Sequence, residues 1–186
     1  LGTPESVSSD ALGPVENVND PPVGSVTIDG VAAEEQTLSA NPSALTDEDG
    51  LGPFTYAWRR GESVVATTST YLLGQADVGA SISVTVSYTD ALGTPESVSS
   101  DALGPVENVN DPPVGSVTID GVAAEDQTLS ANPSALTDED GLGPFTYAWR
   151  RGESVVATTS TYLLGQADVG ASISVTVSYT DAPGTP

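Results

Sequence analysis

Polar and apolar residues alternate along Ser81-Ile82-Ser83-Val84-Thr85-Val86-Ser87-Tyr88, which puts Ile82, Val84, Val86 and Tyr88 on one face and hydroxyls on the other. Phe54-Thr55-Tyr56-Ala57-Trp58 alternates in the same way, with three aromatics on one face. Shorter stretches of the same kind run over Ser25 to Ile28, Gln36 to Ala40, Ser63 to Val65 and Thr70 to Leu73. A last one runs from about Glu96 to Ala102, reaching as far as Val106. No segment sustains helical periodicity. Seven strands at roughly 8–12-residue spacing, with Gly, Pro and Asp in the gaps, predict an all-β antiparallel sandwich or barrel. The strand that contains Ser81 to Tyr88 is expected to be the longest, at about ten residues and ~33 Å.

Individual residues refine this picture. An exposed Trp58 would offer a face for stacking on a sugar, but a Trp that alternates with Phe54 and Tyr56 in mid-strand is expected to plug a sandwich core. Asp77-Val78-Gly79 precedes the longest strand, and the Asp side chain is expected to tie that loop together rather than bind metal. Arg59 and Arg60 run into Gly61 and read as solvated turn charges paired with Glu62.

The pattern then repeats. Leu1-Gly2-Thr3-Pro4-Glu5-Ser6 returns as Leu92-Gly93-Thr94-Pro95-Glu96-Ser97, a period of 91 residues. Two positions differ between the copies, Glu35 against Asp126 and Leu92 against Pro183. A period this long is a whole domain rather than a solenoid unit. Asn17-Val18-Asn19-Asp20-Pro21-Pro22 and its copy Asn108-Val109-Asn110-Asp111-Pro112-Pro113 mark the boundaries, because paired prolines hold the chain extended and donate no hydrogen bonds. Residues 1–20 therefore read as the last strand and linker of a preceding repeat, 21–111 as a complete module with its linker, and 112–186 as a second module lacking its last strand. A sandwich short of one strand exposes an apolar seam and a sheet edge. That gap is expected to be filled by residues 1–16 of a neighbouring molecule or by a further repeat, the chain otherwise being monomeric in solution.

Composition narrows the function. The chain has 26 acidic residues against four basic ones, all arginine, and a formal charge of −22. Such a chain is repelled by nucleic acid and by anionic membranes, so neither is an expected partner. No apolar run is long enough to span a bilayer, so no direct membrane insertion is expected. Cys, Met and His are all absent, which removes soft-metal sites, thiol chemistry and most His-based catalysis. Scattered carboxylates serve solubility; clustered ones also suit hard cations.

Clusters occur at three places per module. The first is the linker, Val109-Asn110 flanked by Glu107 and Asp111. The second is Asp138-Glu139-Asp140-Gly141, matching Asp47-Glu48-Asp49-Gly50. The third is Asp181, matching Asp90. In a seven-strand sandwich of this order, the loops between strands two and three and between strands six and seven lie at the end where the linker enters. Asp138, Asp140 and Asp181 are therefore expected beside Asn110 and Asp111. Asp29, Glu34, Glu35 and Asp77 fall in loops at the far end of the first module, where some can face the junction from the other side. Ca²⁺ suits such a set, since it takes six to eight oxygens in flexible geometry, whereas Mg²⁺ retains more water. The alternative is that Asp-Glu-Asp-Gly is simply a polar turn, for it lacks the remaining ligands of an EF-hand loop.

Val-Asn-Asp-Pro-Pro after a strand, with Asp-Glu-Asp-Gly in the next module, resembles the cadherin-like and immunoglobulin-like tandem repeats of giant bacterial surface proteins. The chain is most similar to the extender (region II type) repeats of RTX-type adhesins of Gram-negative bacteria. Gly24-Ser25-Val26-Thr27-Ile28, Thr55-Tyr56-Ala57-Trp58, Gln75-Ala76-Asp77-Val78-Gly79 and Val86-Ser87-Tyr88-Thr89-Asp90 carry that resemblance along the whole repeat. It implies immunoglobulin-like or cadherin-like sandwiches at the cell surface, with Ca²⁺ at junctions between neighbouring repeats, holding a ligand-binding tip away from the outer membrane. It makes Asn110, Asp111, Asp138, Asp140 and Asp181 the junction ligands, with Asn19, Asp20, Asp47, Asp49 and Asp90 as their copies. The Gly-rich nonapeptide repeats that name the RTX class are absent.

The leading functional expectation is thus a structural spacer, for which near-identical copies are well suited. A binding module for glycan, ice or another cell is the alternative, with Thr67-Thr68-Ser69-Thr70 and the hydroxyl faces of the strands as its surface. Paired carboxylates also serve glycoside hydrolysis, but nothing in the sequence builds a pocket around them, and no enzyme is expected.

Overall fold

The computed structural model describes residues 1–181. Residues 182–186, which include Pro183 and end the expected second module, lie outside the described residues. The chain divides into two compact units. Unit 1 holds Leu1–Ala32, Gln36–Leu73 and Gly79–Val106, and unit 2 holds Ala33–Glu35, Gly74–Val78 and the chain from Glu107 on. Glu107 to Asp111, in the linker between the repeats, group with the second unit.

Unit 1 contains seven strands: β1 (Thr27–Asp29), β2 (Thr37–Asn41), β3 (Thr55–Arg60), β4 (Ser63–Ala66), β5 (Thr70–Leu72), β6 (Ile82–Thr89) and β7 (Pro95–Ser99). They form one three-stranded sheet, β1-β2-β5, and one four-stranded sheet, β4-β3-β6-β7, with every pairing antiparallel. This is a sandwich rather than a barrel, the two forms that the alternation allows, and its strand order is immunoglobulin-like, as the resemblance implies. The longest strand has 8 residues, so it spans ~26 Å rather than ~33 Å.

The core lies between the two sheets. Trp58 is fully buried, and its indole N–H donates to the carbonyl of Thr68 at 2.9 Å. Ile82, Val84 and Val86 alternate inward beneath it with no exposure, and Val26, Leu38, Leu45, Leu73 and Val106 complete the cluster. A register shift between Trp58 and Arg59 bends β3 as a bulge does. Past it, Arg59 donates to the backbone carbonyl of Glu62 at 3.1 Å, rather than to its carboxylate.

Glycine is required where chains approach closely. A Cβ on Gly52 would lie 2.0 Å from the carbonyl oxygen of Thr89, so the loop after β2 sits directly on the end of β6. Gly52→Ala should lower the urea midpoint of unit 1 by the equivalent of about 3 kcal/mol, the upper end of overpacking. Gly2→Ala, which meets nothing within 4 Å, should leave it unchanged.

Unit 2 repeats the plan with β8 (Thr118–Asp120), β9 (Thr128–Asn132), β10 (Thr146–Arg151), β11 (Ser154–Ala157), β12 (Thr161–Leu163) and β13 (Ile173–Ser178). Its sheets are β12-β9-β8 and β11-β10-β13. No seventh strand flanks β13 among the described residues. The consequence shows in burial: Ile173, Val175 and Val177 are only half-buried, where their copies Ile82, Val84 and Val86 are fully buried.

Two three-residue 3-10 turns, Gln75–Asp77 and Gln166–Asp168, stand where the sequence places a tied loop. Gly74 N–H donates to Asp77 Oδ2 at 3.0 Å, and Gly165 N–H to Asp168 Oδ2 at 2.9 Å. Arg151, the copy of Arg60, pairs with Asp168 at 3.0 Å. The Gly165 N–H, Tyr162 hydroxyl and Arg151 together hold the Asp168 carboxyl below its usual range, against its burial. The position at which the described copies differ, Glu35 and Asp126, has positive φ of 62° and 61°. Asp tolerates this left-handed conformation better than Glu does.

Candidate metal centre

The turn Asp138-Glu139-Asp140-Gly141 folds on its own side chains. Asp140 N–H donates to Asp138 Oδ1 at 2.9 Å, Gly141 N–H donates to the Asp138 carbonyl at 3.1 Å, and Gly141 takes φ of 89°. Gly143 then brings the loop onto the chain after β13, where a Cβ would sit 1.9 Å from the Thr180 carbonyl oxygen. That approach carries Asp138 and Asp140 to Asp181. Carboxylate oxygens of the three residues lie within 4.8 Å of one another.

Neighbours orient each group. The ring of Tyr179 meets Phe145 edge-on at 5.8 Å, and its hydroxyl donates to Asp138 Oδ2. That bond, with burial, pushes the tyrosine pKa up to about 12, so it remains a donor near neutrality. Asp111 N–H donates to Asp140 Oδ2 at 2.7 Å. The other oxygen, Asp140 Oδ1, is buried and has no hydrogen-bond partner, and Asn108 Oδ1 is in the same condition. Buried acceptors are normally satisfied, so each such oxygen calls for an explanation. The arginines of unit 2 are engaged elsewhere, Arg150 on the carbonyl of Glu153 and Arg151 on Asp168.

Two carboxylates about 5 Å apart repel by roughly 3 kcal/mol at an effective dielectric near 20. A divalent cation turns that repulsion into attraction. The donors are all oxygen, with no nitrogen or sulfur, which fits Ca²⁺ rather than Zn²⁺. Asp138, Asp140 and Asp181 would hold the ion, which would give the orphaned, buried Asp140 Oδ1 a partner. Asn110, Asp111, Asp138 and Asp181 line one shared pocket with Tyr179.

Other expected residues sit differently. The carboxylate of Asp111 gathers with those of Glu34 and Glu139 in a second group, again within 4.8 Å. Asn110 is exposed and donates to the Asp111 carbonyl at 3.3 Å. Glu107 is exposed, and it is its backbone carbonyl that takes part, accepting from Glu34 N–H at 2.9 Å. Glu34 is 3% exposed, and Glu139 and Asn108 complete what a linker-centred reading passes over.

In unit 1 the equivalent residues are held by protein. Asn17 donates to Asp49 Oδ1, and Asp20 N–H donates to Asp49 Oδ2 at 2.7 Å. Asp47 accepts from Asp49 N–H at 2.8 Å and from Tyr88 hydroxyl at 2.6 Å. Thr94 N–H occupies Asp90 Oδ1 at 2.8 Å, while Asp90 Oδ2 is buried without a partner. Asn19 is exposed and donates to Glu96 at 3.1 Å. Asp47, Asp49 and Asp90 do not gather their oxygens as closely as the second trio among the described residues.

Glu34 makes unit 2 sensitive to pH. Burial raises its pKa, with Asp111, Asp140 and Glu139 adding to the shift and the Val109 N–H opposing it. With its amide turned nitrogen-inward, Gln75 also donates to both Glu34 oxygens, at 3.0 and 3.1 Å. The folded unit therefore keeps the Glu34 proton to higher pH than the unfolded chain. Stability should fall as pH climbs from the ordinary value of 4.5 through the raised one. Glu34→Gln should flatten that slope and raise the urea midpoint of unit 2 at pH 7 in chelator. Asp168, shifted downward, acts below 3.8 and leaves this window clear. An unchanged slope in the Gln variant would exclude Glu34 as its source.

No protein-family model matches the chain, and no curated protein does. Among solved structures it is similar to the three N-terminal domains of the Highly Immunogenic Outer Capsid protein (Hoc) of bacteriophage RB49. The identity is 20% and the TM-score 0.33, over 87% of this chain and 56% of that one. The chain thus spans little more than half the length of that neighbour.

Proposed function

We propose that this chain is an extender of a large bacterial cell-surface adhesin: it adds length between a cell and a distal ligand-binding region, and Ca²⁺ rigidifies the junctions between its modules. The observation that carries the calcium part is the trio Asp138, Asp140 and Asp181, gathered within 4.8 Å with a buried oxygen of Asp140 left unsatisfied. The length part is supported by the repeat itself. Two modules of near-identical sequence each add a sandwich, with longest described strands of ~26 Å in unit 1 and ~20 Å in unit 2, and each further copy would bring the same linker again. The adhesin and its Gram-negative surface come from the resemblance of the repeat.

Extracellular modules bind Ca²⁺ at ~10⁻⁴–10⁻³ M, so the ion would be held outside a cell and lost inside one. Small-angle scattering tests the reading. The maximum dimension of the chain should be well defined in millimolar Ca²⁺ and should shrink and broaden in EDTA, with strand content by circular dichroism unchanged. Identical scattering in both would remove calcium from the role.

A further inference from the structure

We propose that Glu34 is a positioning residue for the calcium site: without touching the ion, it fixes the linker backbone that aims Asp140 at Asp138 and Asp181. The proposal rests on the calcium reading above and adds to it a residue of the preceding repeat.

Ala33–Glu35 and Gly74–Val78 are loops of the first repeat, yet they fold with unit 2. The linker is pinned to Glu34 in two places. Glu34 N–H donates to the Glu107 carbonyl at 2.9 Å, within the parallel bridge of Ala33 and Glu107. Two residues on, Val109 N–H donates to Glu34 Oε2 at 3.4 Å. Two residues further, Asp111 N–H donates to Asp140 Oδ2 at 2.7 Å. Glu107, Val109 and Asp111 thus offer backbone groups at two-residue intervals, the period of an extended chain. The two prolines that follow keep it extended. With Oδ2 held by the Asp111 N–H, Asp140 presents Oδ1, the buried oxygen that has no partner. A linker that slips frees Oδ2, and the carboxylate can turn away from the trio.

The bonding of Glu34 marks it as a brace. Its carboxylate lies near those of Asp111 and Glu139, within 4.8 Å, but both of its oxygens are already engaged. The Gln75 amide, nitrogen inward, reaches both at 3.0 and 3.1 Å, and Val109 N–H adds its bond to Oε2. The oxygen still open to an ion is that of Asp140. Outer partners of this kind orient the ligands of a metal, and their loss costs about 10–100-fold in affinity.

Calorimetric titration of the full chain with Ca²⁺ at pH 7 tests this. Glu34→Ala removes the acceptor for Val109 and should weaken binding about tenfold. Glu34→Gln has the same charge as the Ala variant but keeps an acceptor, and Gln75 can turn its oxygen to the new amide. It should bind about tenfold more tightly than Glu34→Ala, a difference to which charge contributes nothing. Val109→Pro removes the same bond from the linker side, at an exposed side chain, so it serves even where Glu34→Ala does not fold. It should weaken binding as Glu34→Ala does, and the two changes together should weaken it no further. Hydrogen exchange in chelator gives a second readout. The Asp111 amide should be protected in the parent and in Glu34→Gln, and open in Glu34→Ala and Val109→Pro. Equal affinity in the Ala and Gln variants overturns the proposal. If both match the parent, Glu34 serves the fold alone; if both fall below it, Glu34 acts by charge. Weakened binding with the Asp111 amide still protected also overturns it, and makes Glu34 a ligand. A parent that takes up no calcium removes the site and this proposal together, whereas the other results remove the proposal alone.

Discussion

Calorimetric titration of the chain should show Ca²⁺ binding that Asp140→Ala abolishes. Asp140 contributes a buried oxygen with no other partner, and its loss removes both a ligand and a charge. With ~10 mM Ca²⁺ and a Kd of ~10⁻⁴–10⁻³ M, binding stabilises the folded unit by roughly 1.4–2.7 kcal/mol. The parent should gain this on moving from EDTA to calcium, and the variant should gain nothing. Asp140→Asn sharpens the test. It keeps an acceptor for the Asp111 N–H, bound at 2.7 Å in the parent, but removes the like charge beside Asp138 and Asp181. In EDTA it should match or exceed the parent in stability, and in calcium it should fall behind. A merely structural turn would predict no such crossing. Calcium heats of equal size in parent and variant would discard the site.

Part of this arrangement is legible in the amino-acid sequence. Alternation over Ile82, Val84, Val86 and Tyr88 has one face because a strand has period two, and those residues line the core of unit 1. Trp58 follows from the same rule. Strand ends differ by two or three residues where only hydrogen bonding decides, as at Thr27 and at Ser99 against Ala102, and the extension to Val106 is not part of the strand. Asp138, Asp140 and Asp181 can be grouped because sandwich topology puts their two loops at one end. Glu34 cannot be grouped with Asp111 so directly. It reaches Asp111 and Glu139 through a parallel bridge between Ala33 and Glu107, a contact with no local signature. Asn108 is hidden for a related reason, since only burial distinguishes it from the exposed Asn110 two positions on. The clearest limit is the arm. Residues 1–20 and 92–111 are identical, and one stretch holds β7 while the other holds no strand. Strand propensity without a partner sheet does not make a strand.

The same contrast predicts how the chain unfolds. Unit 1 buries a nine-residue core cluster, whereas in unit 2 only Leu129, Trp149 and Leu164 reach that depth. Half-burial of Ile173, Val175 and Val177 forfeits part of the ~1.5–3 kcal/mol that each full burial contributes. Each unit contains one tryptophan, so Trp58→Phe and Trp149→Phe chains report on unit 2 and unit 1 separately. At low protein concentration in chelator, Trp149 fluorescence should change at a clearly lower urea concentration than that of Trp58. Val106→Asp should then erase the difference by bringing unit 1 down by about 4 kcal/mol or more, because it removes a buried valine and leaves a charge in the seam. Val15→Asp, the same substitution in the same local sequence, should leave the Trp58 transition where it was. Coincident transitions in the parent would mean that the strand filling the β6 edge adds little. In that case the seam on β13 would not be the weakness of unit 2.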